Sequence, residues 1–189
     1  MSSDNETTSG EPPIGSGDTG VASCFRAARY WLFWLLFVAT FALDQASKQI
    51  IWRTLPSGYD APPVPLIPGV FNLVHVHNRG AAFSLFSGYG WLLVVLALGA
   101  LVATFIWRRN LELERRAVQF AFGMLTGGIV GNVADRLLYG YVVDFLDVIL
   151  PGYGHWPAFN IADAGICIGV LLYLVVSFRH PVVPKESAE

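Results

Sequence analysis

Charged residues are scarce in this chain. Only 14% of its 189 residues are charged, whereas 54% are hydrophobic. In an ordinary soluble domain, roughly a quarter of the residues are charged. The composition therefore excludes a typical soluble domain and predicts a membrane protein, for which we expect no nucleic-acid partner.

Residues that form disulfides, bind metals or act as nucleophiles are also few. The two cysteines, Cys24 and Cys167, give no disulfide framework. The histidines have no spacing typical of a zinc site; they are His75, His77, His155 and His180. No Ser or Cys lies in a recognisable nucleophile motif. We therefore expect neither a metal ion nor another cofactor.

Four long apolar segments are present instead. They cover residues 30–51, 86–107, 117–135 and 161–178. Each is close to the ~20 residues that a helix needs to cross the hydrocarbon core of a bilayer. The sequence therefore predicts an all-α membrane protein, folded as a four-transmembrane-helix bundle. Three glycines of the third segment would let a neighbouring helix approach closely; they are Gly127, Gly128 and Gly131.

The parts of the chain outside these segments differ in composition. Residues 1–24 are rich in Ser, Gly, Thr, Pro and acids, which is typical of a disordered tail. The loops 52–85 and 136–160 contain Pro, Gly and alternating runs such as "VFNLVHV", which predict a small extramembrane β element. We expect one membrane domain over 25–180 and a second short tail over 181–189.

The basic residues predict the orientation in the membrane. They flank the first segment, fill the link between the second and third, and follow the fourth; they are Arg26, Arg29, Arg108, Arg109, Arg115, Arg116, Arg179 and Lys185. Lys and Arg accumulate in cytoplasmic loops. Both termini are therefore expected in the cytoplasm, and the two long loops on the outer side.

The acidic residues near the membrane fall in one outer layer. From the helix rise, Asp44, Asp163 and Asp135 lie about 22, 24 and 28 Å from the inner boundary of a core ~30 Å thick. Asp144 belongs to the adjoining outer loop. An ionisable group in the bilayer costs about 2.5 to 3.5 kcal/mol even on lenient scales, so it indicates function.

Two of these acids have plausible structural explanations. Lys48 follows Asp44 by four residues, a spacing that predicts an ion pair within the helix. Asp135 is preceded by Asn132 and followed by Arg136, which is typical of a polar helix end.

Asp144 and Asp163 are harder to explain by structure alone. Asp144 is flanked by "YVV" and "F", and Asp163 opens a segment that contains no other charge. Two carboxyls that meet in a low-dielectric site share one proton. The ionised member can take a proton from an attacking water while the protonated member polarises an amide carbonyl.

The residues alone therefore favour an intramembrane or interfacial aspartic protease. The alternative is a small ion- or proton-coupled transporter subunit that uses buried acids, and a third possibility is a structural membrane partner. A transporter predicts acids near the midplane, on both sides of it, or in a duplicated architecture. The single outer layer and the lack of a convincing repeat favour the protease.

Four motifs, in this order, resemble those of the lipoprotein signal peptidases, or signal peptidase II. They are "DQASK" (44–48), "FNLVHVHNRGAAF" (71–83), "GNVADR" (131–136) with "VVDF" (142–145), and "PAFNIAD" (157–163). The resemblance covers residues 30 to 178. It implies a bacterial aspartic protease of the plasma (inner) membrane, with its active site at the outer face.

The resemblance also implies roles for individual residues. Asp144 and Asp163 correspond to the catalytic pair. The supporting or substrate-binding positions are Asp44, Lys48, Asn78, Gly80, Asn132, Asp135, Arg136 and Asn160. The implied substrate is a prolipoprotein whose cysteine carries a diacylglyceryl group, cut just before that cysteine. Membrane lipid is the only other expected partner. We expect the protein to be a monomer.

Overall fold

The computed structural model describes residues 29–58, 61–81, 85–86, 88–108 and 110–179. Both predicted tails, 1–24 and 181–189, lie outside the described residues. So do several residues named above: Cys24, Arg26, Ala82, Phe83, Arg109, His180 and Lys185.

The described residues form four helices and four strands. In chain order they are α1 (Trp31–Thr54), β1 (Val64–Ile67), β2 (Phe71–Asn78), α2 (Gly90–Trp107), α3 (Arg116–Tyr139), β3 (Val142–Leu150), β4 (Gly154–His155) and α4 (Ile161–Arg179). The four predicted helical segments are thus all present, and the strands lie in the two loops where a small β element was predicted.

The third helix lies at the centre of the bundle. It packs along both α1 and α4, whereas α2 contacts the bundle mainly through α3. The close approach depends on glycine: a Cβ at Gly127 would lie 2.7 Å from the carbonyl oxygen of Phe37, and one at Gly128 would collide with that of Ala162. The predicted role of these glycines in close helix packing is confirmed.

The end of α3 lies beyond the predicted boundary. The helix continues past Asp135 to Tyr139 and ends at Gly140, whose left-handed φ of 78° suits glycine. The prediction placed the end at the charge itself. Asp135 and Arg136 have partners within the fold, so their charges do not force the helix to stop there.

Three of the described helices are long and apolar enough to cross a membrane. They are α2, α3 and α4. The predicted count of four membrane-spanning helices is therefore not confirmed. The helix outside this group is α1, which carries three charged residues, Asp44, Lys48 and Arg53. Asp44 and Lys48 are buried, whereas Arg53 is exposed.

The strands form one antiparallel sheet in the order β1-β2-β3-β4. In its central pair, Val76 lies opposite Asp144 and Asn78 opposite Val142. Asn78 and Asp144 are thereby diagonal neighbours on one face of the sheet. After β4, the chain runs back along β3 until Phe159 pairs with Leu146.

A small hydrophobic core joins the C-terminal end of α1 to this sheet. Ile51 of α1 packs with Val143 and Phe145 of β3, and Ile161 packs against the same cluster. These contacts fix the first helix, the sheet and the start of α4 relative to one another. The carboxylates at positions 144 and 163 lie next to this junction.

Candidate active site

Asp144 is a buried acid held by two carboxamides. It lies on β3 and is 2% exposed. Asn78 Nδ2 donates to its Oδ2 at 2.9 Å, and Asn160 Nδ2 donates to its Oδ1 at 2.7 Å. Each carboxyl oxygen therefore has its own neutral donor, one from the neighbouring strand and one from the start of α4.

Asp163 lies in the first turn of α4 and forms a capping box with Asn160. Asn160 Oδ1 accepts from the backbone N–H of Asp163 at 2.9 Å, and Asp163 Oδ2 accepts from the backbone N–H of Asn160 at 3.3 Å. This reciprocal arrangement is a common helix N-terminus. Asp163 Oδ1 accepts a further bond, at 2.7 Å, from Asn132 Nδ2.

One amide group therefore links the two acids. Asn160 donates to Asp144 with its nitrogen while its oxygen accepts from the backbone of Asp163. The same nitrogen lies 3.3 Å from Asn132 Oδ1, which closes the ring of contacts. We call Asn132, Asp144, Asn160 and Asp163 the acid–amide cluster.

The environment of Asp144 favours its protonated form. Burial, followed by the charge of Asp163, raises the pKa of Asp144 to about 7. The hydrogen bonds from Asn78 and Asn160 oppose that rise, and Lys48 opposes it least. Asp144 can therefore hold a proton near neutral pH, as one member of a water-activating acid pair must.

A second, charged layer lies beside the acid–amide cluster. Lys48 Nζ contacts Asp44 Oδ2 at 2.7 Å, Asp135 Oδ2 at 2.9 Å and Asn132 Oδ1 at 3.1 Å. The predicted Asp44–Lys48 ion pair is present, but Lys48 is shared with an acid of α3. The explanation of Asp135 as a polar helix end is incomplete, because Asp135 is buried in this ion-pair network.

The two acids of this charged layer each hold the backbone just before one member of the predicted catalytic pair. Asp44 Oδ1 accepts from the N–H of Ala162 at 2.9 Å, and Asp135 Oδ2 accepts from the N–H of Val143 at 3.3 Å. Ala162 and Val143 directly precede Asp163 and Asp144 in the sequence. The charged layer can therefore orient both acids without contacting either carboxyl.

Arg136 and Gly80 complete the set of predicted residues. Arg136 donates to the carbonyl of Gly80 at 2.9 Å and to that of Asn132 at 3.3 Å. The N–H of Gly80 donates to Asn78 Oδ1 at 2.9 Å. Arg136 thus fixes the turn that orients the Asn78 amide towards Asp144. Its Nε is buried without a hydrogen-bond partner in the described residues.

All ten residues named from the sequence therefore lie in one connected network, although their roles in catalysis remain predictions. Gln45 was missed. Its Nε2 lies 2.9 Å from Asp135 Oδ1 and 3.2 Å from Asp44 Oδ2, so it belongs to the charged layer. Its place within "DQASK" was the available signal.

A cavity of about 550 Å³ adjoins the network. Its polar wall contains Asn78, Asn132, Arg136 and Asp163, whereas the remainder is mostly apolar. The apolar residues come from α2, α3, α4 and the chain between β4 and α4. Its volume is typical of sites that enclose a ligand of moderate size.

His75 and His77 do not line this cavity. His75 Nδ1 contacts the carbonyl oxygen of Leu55, and His75 Nε2 contacts His77 Nε2. His77 stacks on Tyr141. Among the described residues, no three His, Cys, Asp or Glu side chains are grouped so that they could hold a metal ion.

Comparison with known proteins agrees with this geometry. A family model described as "Signal peptidase (SPase) II" matches residues 36–179. The lipoprotein signal peptidase of Aeromonas hydrophila is 44% identical over 153 residues, which cover 79% of this chain and 88% of that protein. The lipoprotein signal peptidase of Ralstonia nicotianae is 45% identical over 153 residues, covering 78% and 84%.

Solved structures are similar as well. A bacterial membrane enzyme determined by the in meso method at 2.3 Å resolution superposes with a TM-score of 0.70 and 32% identity. The match covers 82% of this chain and 92% of that one. The sequence, the fold and the grouping of the motif residues therefore agree, and the chain belongs to the signal peptidase II family of peptidases.

Proposed function

We propose that this protein removes the signal peptide from diacylglyceryl-modified prolipoproteins by cutting the bond just before the lipidated cysteine. The observation that carries the proposal is the acid–amide cluster, in which Asn160 links Asp144 to Asp163 beside an apolar cavity. The curated relatives are lipoprotein signal peptidases. The transporter alternative has no such support.

In the proposed reaction, the two acids share one proton. Asp144 holds it at rest, because its pKa is raised to about 7. Asp163 takes a proton from water as the water oxygen attacks the scissile carbonyl, and Asp144 donates its proton to the carbonyl oxygen. Asp163 then protonates the leaving nitrogen while Asp144 recovers a proton from the tetrahedral intermediate. The pair ends as it began.

The cavity supports binding of an apolar substrate next to these acids. Leu93 and Ala97 of α2, Ile129 of α3 and Ile166 of α4 contribute to its lining. Such a wall suits acyl chains or the hydrophobic helix of a signal peptide. We assign the substrate's lipid and peptide to this cavity.

We also propose that α1 is a fourth membrane-spanning helix. Its 24 residues extend about 36 Å, enough to cross a core of ~30 Å. Its charged residues Asp44 and Lys48 are buried against α3, so they do not face lipid. Four spans put both termini on the same side of the membrane. The basic residues near the membrane ends favour the cytoplasm of a bacterium for that side, and the acid–amide cluster then lies at the outer face of the plasma membrane.

The monomer is the proposed active form. The acid–amide cluster takes its residues from α3, β3 and α4, and β2 supplies Asn78. All of them come from a single chain, so no second copy is needed to complete the site.

The proposal is tested by processing of a diacylglyceryl-modified preprotein in detergent that contains EDTA. Asp144→Asn and Asp163→Asn are each expected to lower the rate by at least about a thousandfold, because each removes one half of the proton exchange. Glu114→Gln is the matched control. It also changes an acid to an amide, but Glu114 is exposed and lies outside the acid–amide cluster, so this variant should keep the wild-type rate.

Two outcomes would contradict the proposal. A near-native rate in either Asp variant would show that the pair is not catalytic. Loss of wild-type activity on chelation, restored by a divalent metal, would show that a metal activates the water.

A further inference from the structure

A second group of polar side chains lies in the sheet, outside the acid–amide cluster and the charged layer. His155 Nδ1 lies 2.9 Å from both carboxyl oxygens of Asp147. Asn72 Nδ2 donates to Asp147 Oδ2 at 2.9 Å. Asp147 is buried, whereas the His155 side chain is 61% exposed. The buried carboxyl of Asp147 thus holds a side chain, His155, that is mostly exposed to solvent.

His155 is the last residue before a wall of the cavity. The next four residues, Trp156, Pro157, Ala158 and Phe159, all line it. They run back along β3 and enter α4 through Asn160. Asp163 lines the same cavity, so a shift of these residues would change the shape of the cavity beside Asp163.

The backbone holds this wall mainly at its two ends. At one end, Phe159 exchanges hydrogen bonds with Leu146. At the other, the N–H of Trp156 donates to the carbonyl of Val148 at 2.8 Å. Between them, Pro157 has no N–H to offer to the sheet. These backbone hydrogen bonds of the segment 156–159 thus lie at its two ends.

The strand that supplies the second end is very short. β4 contains two residues, Gly154 and His155, which pair with Leu150 and Ile149. A ladder of this length is marginal by itself. Gly152 and Gly154 have left-handed φ values, 81° and 92°, which form the turn but do not stiffen it. A side-chain link to the centre of β3 would supply that stiffness.

We infer that Asp147 and His155 are a positioning pair, which holds the wall 156–159 at the width that binds the lipid-modified substrate. Neither side chain takes part in the proton exchange between Asp144 and Asp163. The inference rests on the proposed use of the cavity for substrate. It assigns the pair to substrate binding, so its loss should affect KM and leave kcat nearly unchanged.

The test compares His155→Leu with His155→Asn in the full-length protein. Leu removes the donor, whereas the Asn side chain keeps an N–H group near the place of Nδ1. His155→Leu should raise KM for a diacylglyceryl-modified preprotein about fivefold, with kcat within about twofold of wild type. His155→Asn should return KM to within about twofold of wild type.

A double variant tests whether the two residues act as one unit. Asp147→Ala alone should raise KM about as much as His155→Leu. The combination should raise it no further, since the link is already broken. Additive effects would overturn the inference. Tyr153→Ser, at the exposed tip of the same hairpin, is the matched control and should leave KM unchanged.

Thermal unfolding in detergent identifies variants that fail to fold. If Asp147→Ala does not fold, the variants of the exposed His155 still decide the question. An unchanged KM in folded His155→Leu, or a fall in kcat alone, would overturn the inference. Asp144→Asn decides the proposed function separately: if that variant is inactive while KM of His155→Leu is native, only the positioning role fails.

Discussion

At the scale of single residues, the acid pair is surrounded by amides instead of cations. Asn78 and Asn160 donate to Asp144, and Asn132 donates to Asp163. A Lys or Arg in direct contact would hold a carboxyl ionised and strongly lower its pKa. Lys48 contacts the oxygen of Asn132 instead, one side chain away from Asp163. Neutral donors therefore fix the geometry and leave a proton available.

The pKa of Asp144 gives the first prediction. Because it is raised to about 7, Asp144 is protonated below that pH and loses its proton above it. Activity that needs this proton should fall as pH rises through about 7. In Asp163→Asn, the repelling charge is gone but burial, the larger cause, remains. The pKa of Asp144 should then fall yet stay above 3.8.

The measurements are kcat/KM against pH for the wild type, and a ¹³C-aspartate NMR titration of wild type and Asp163→Asn in detergent. If Asp163→Asn leaves the pKa of Asp144 unchanged or raises it, the charge of Asp163 is not a cause of the raised pKa.

At the scale of the element, the start of α4 is where the contacts converge. Asn160 accepts from the N–H of Asp163, and Asp44 accepts from that of Ala162. These bonds satisfy N–H groups that have no partner within the helix. The positive end of the helix also favours the carboxylates of Asp44 and Asp163. The N-terminus of α4 is therefore both a helix cap and part of the proposed active site.

Substitution of Asn160 separates these two roles. Asn160→Ala should destabilise the protein by about 1 kcal/mol through loss of the cap and should abolish most activity. Asn160→Ser keeps an oxygen that can cap the helix but lacks the amide donor to Asp144. We expect Ser to restore stability and not the processing rate. Thermal unfolding and preprotein processing measure the two effects.

Recovery of the rate in Asn160→Ser would mean that Asn160 serves the enzyme only as a helix cap. Equal stability of the Ala and wild-type proteins would instead contradict the capping role.

At the scale of the whole molecule, polar groups are gathered on the inside of a bundle with an apolar exterior. None of the residues in α2 is buried, and exposed Leu and Val side chains follow its length. The buried ion pairs of Lys48 with Asp44 and Asp135 lie between α1 and α3. A soluble protein with this surface would aggregate, whereas in a membrane the same surface faces acyl chains.

The proposed topology can be tested by cysteine labelling in intact cells. A membrane-impermeant maleimide should label Tyr153→Cys, which lies at the tip of the β3–β4 hairpin, without lysis. Glu112→Cys, in the basic link between α2 and α3, should react only after lysis. Tyr153 is 91% exposed, and the Glu112 side chain is 37% exposed. Labelling of Glu112→Cys in intact cells would refute the orientation.

The helices were predictable because each is a long apolar run, a signal that needs no knowledge of its neighbours. The Asp44–Lys48 pair was predictable because four residues make one helical turn. The Lys48–Asp135 pair was not, since a contact across two helices depends on how each is rotated. The end of α3 was placed too early because a charge was taken for a boundary, although Gly140 was the better signal.

The sequence predicted which residues form the site, but it did not predict the hydrogen bonds that join them. The resemblance named Asp144, Asp163 and their supporting positions. The segments "NVAD" (132–135) and "NIAD" (160–163) share the spacing Asn-x-x-Asp. Only the structure shows that Asn160 forms the capping box and that Asn132 does not. The sheet register that aligns Asn78 with Asp144 leaves no mark in a single sequence.

The bond between Asp44 and Ala162 joins positions 118 residues apart. During synthesis, the first of these emerges from the ribosome long before the second, and Asp163 emerges later still. A chain that stops short of α4 therefore lacks Asp163, one of the two acids proposed to exchange protons. We expect such a chain to have no proteolytic activity.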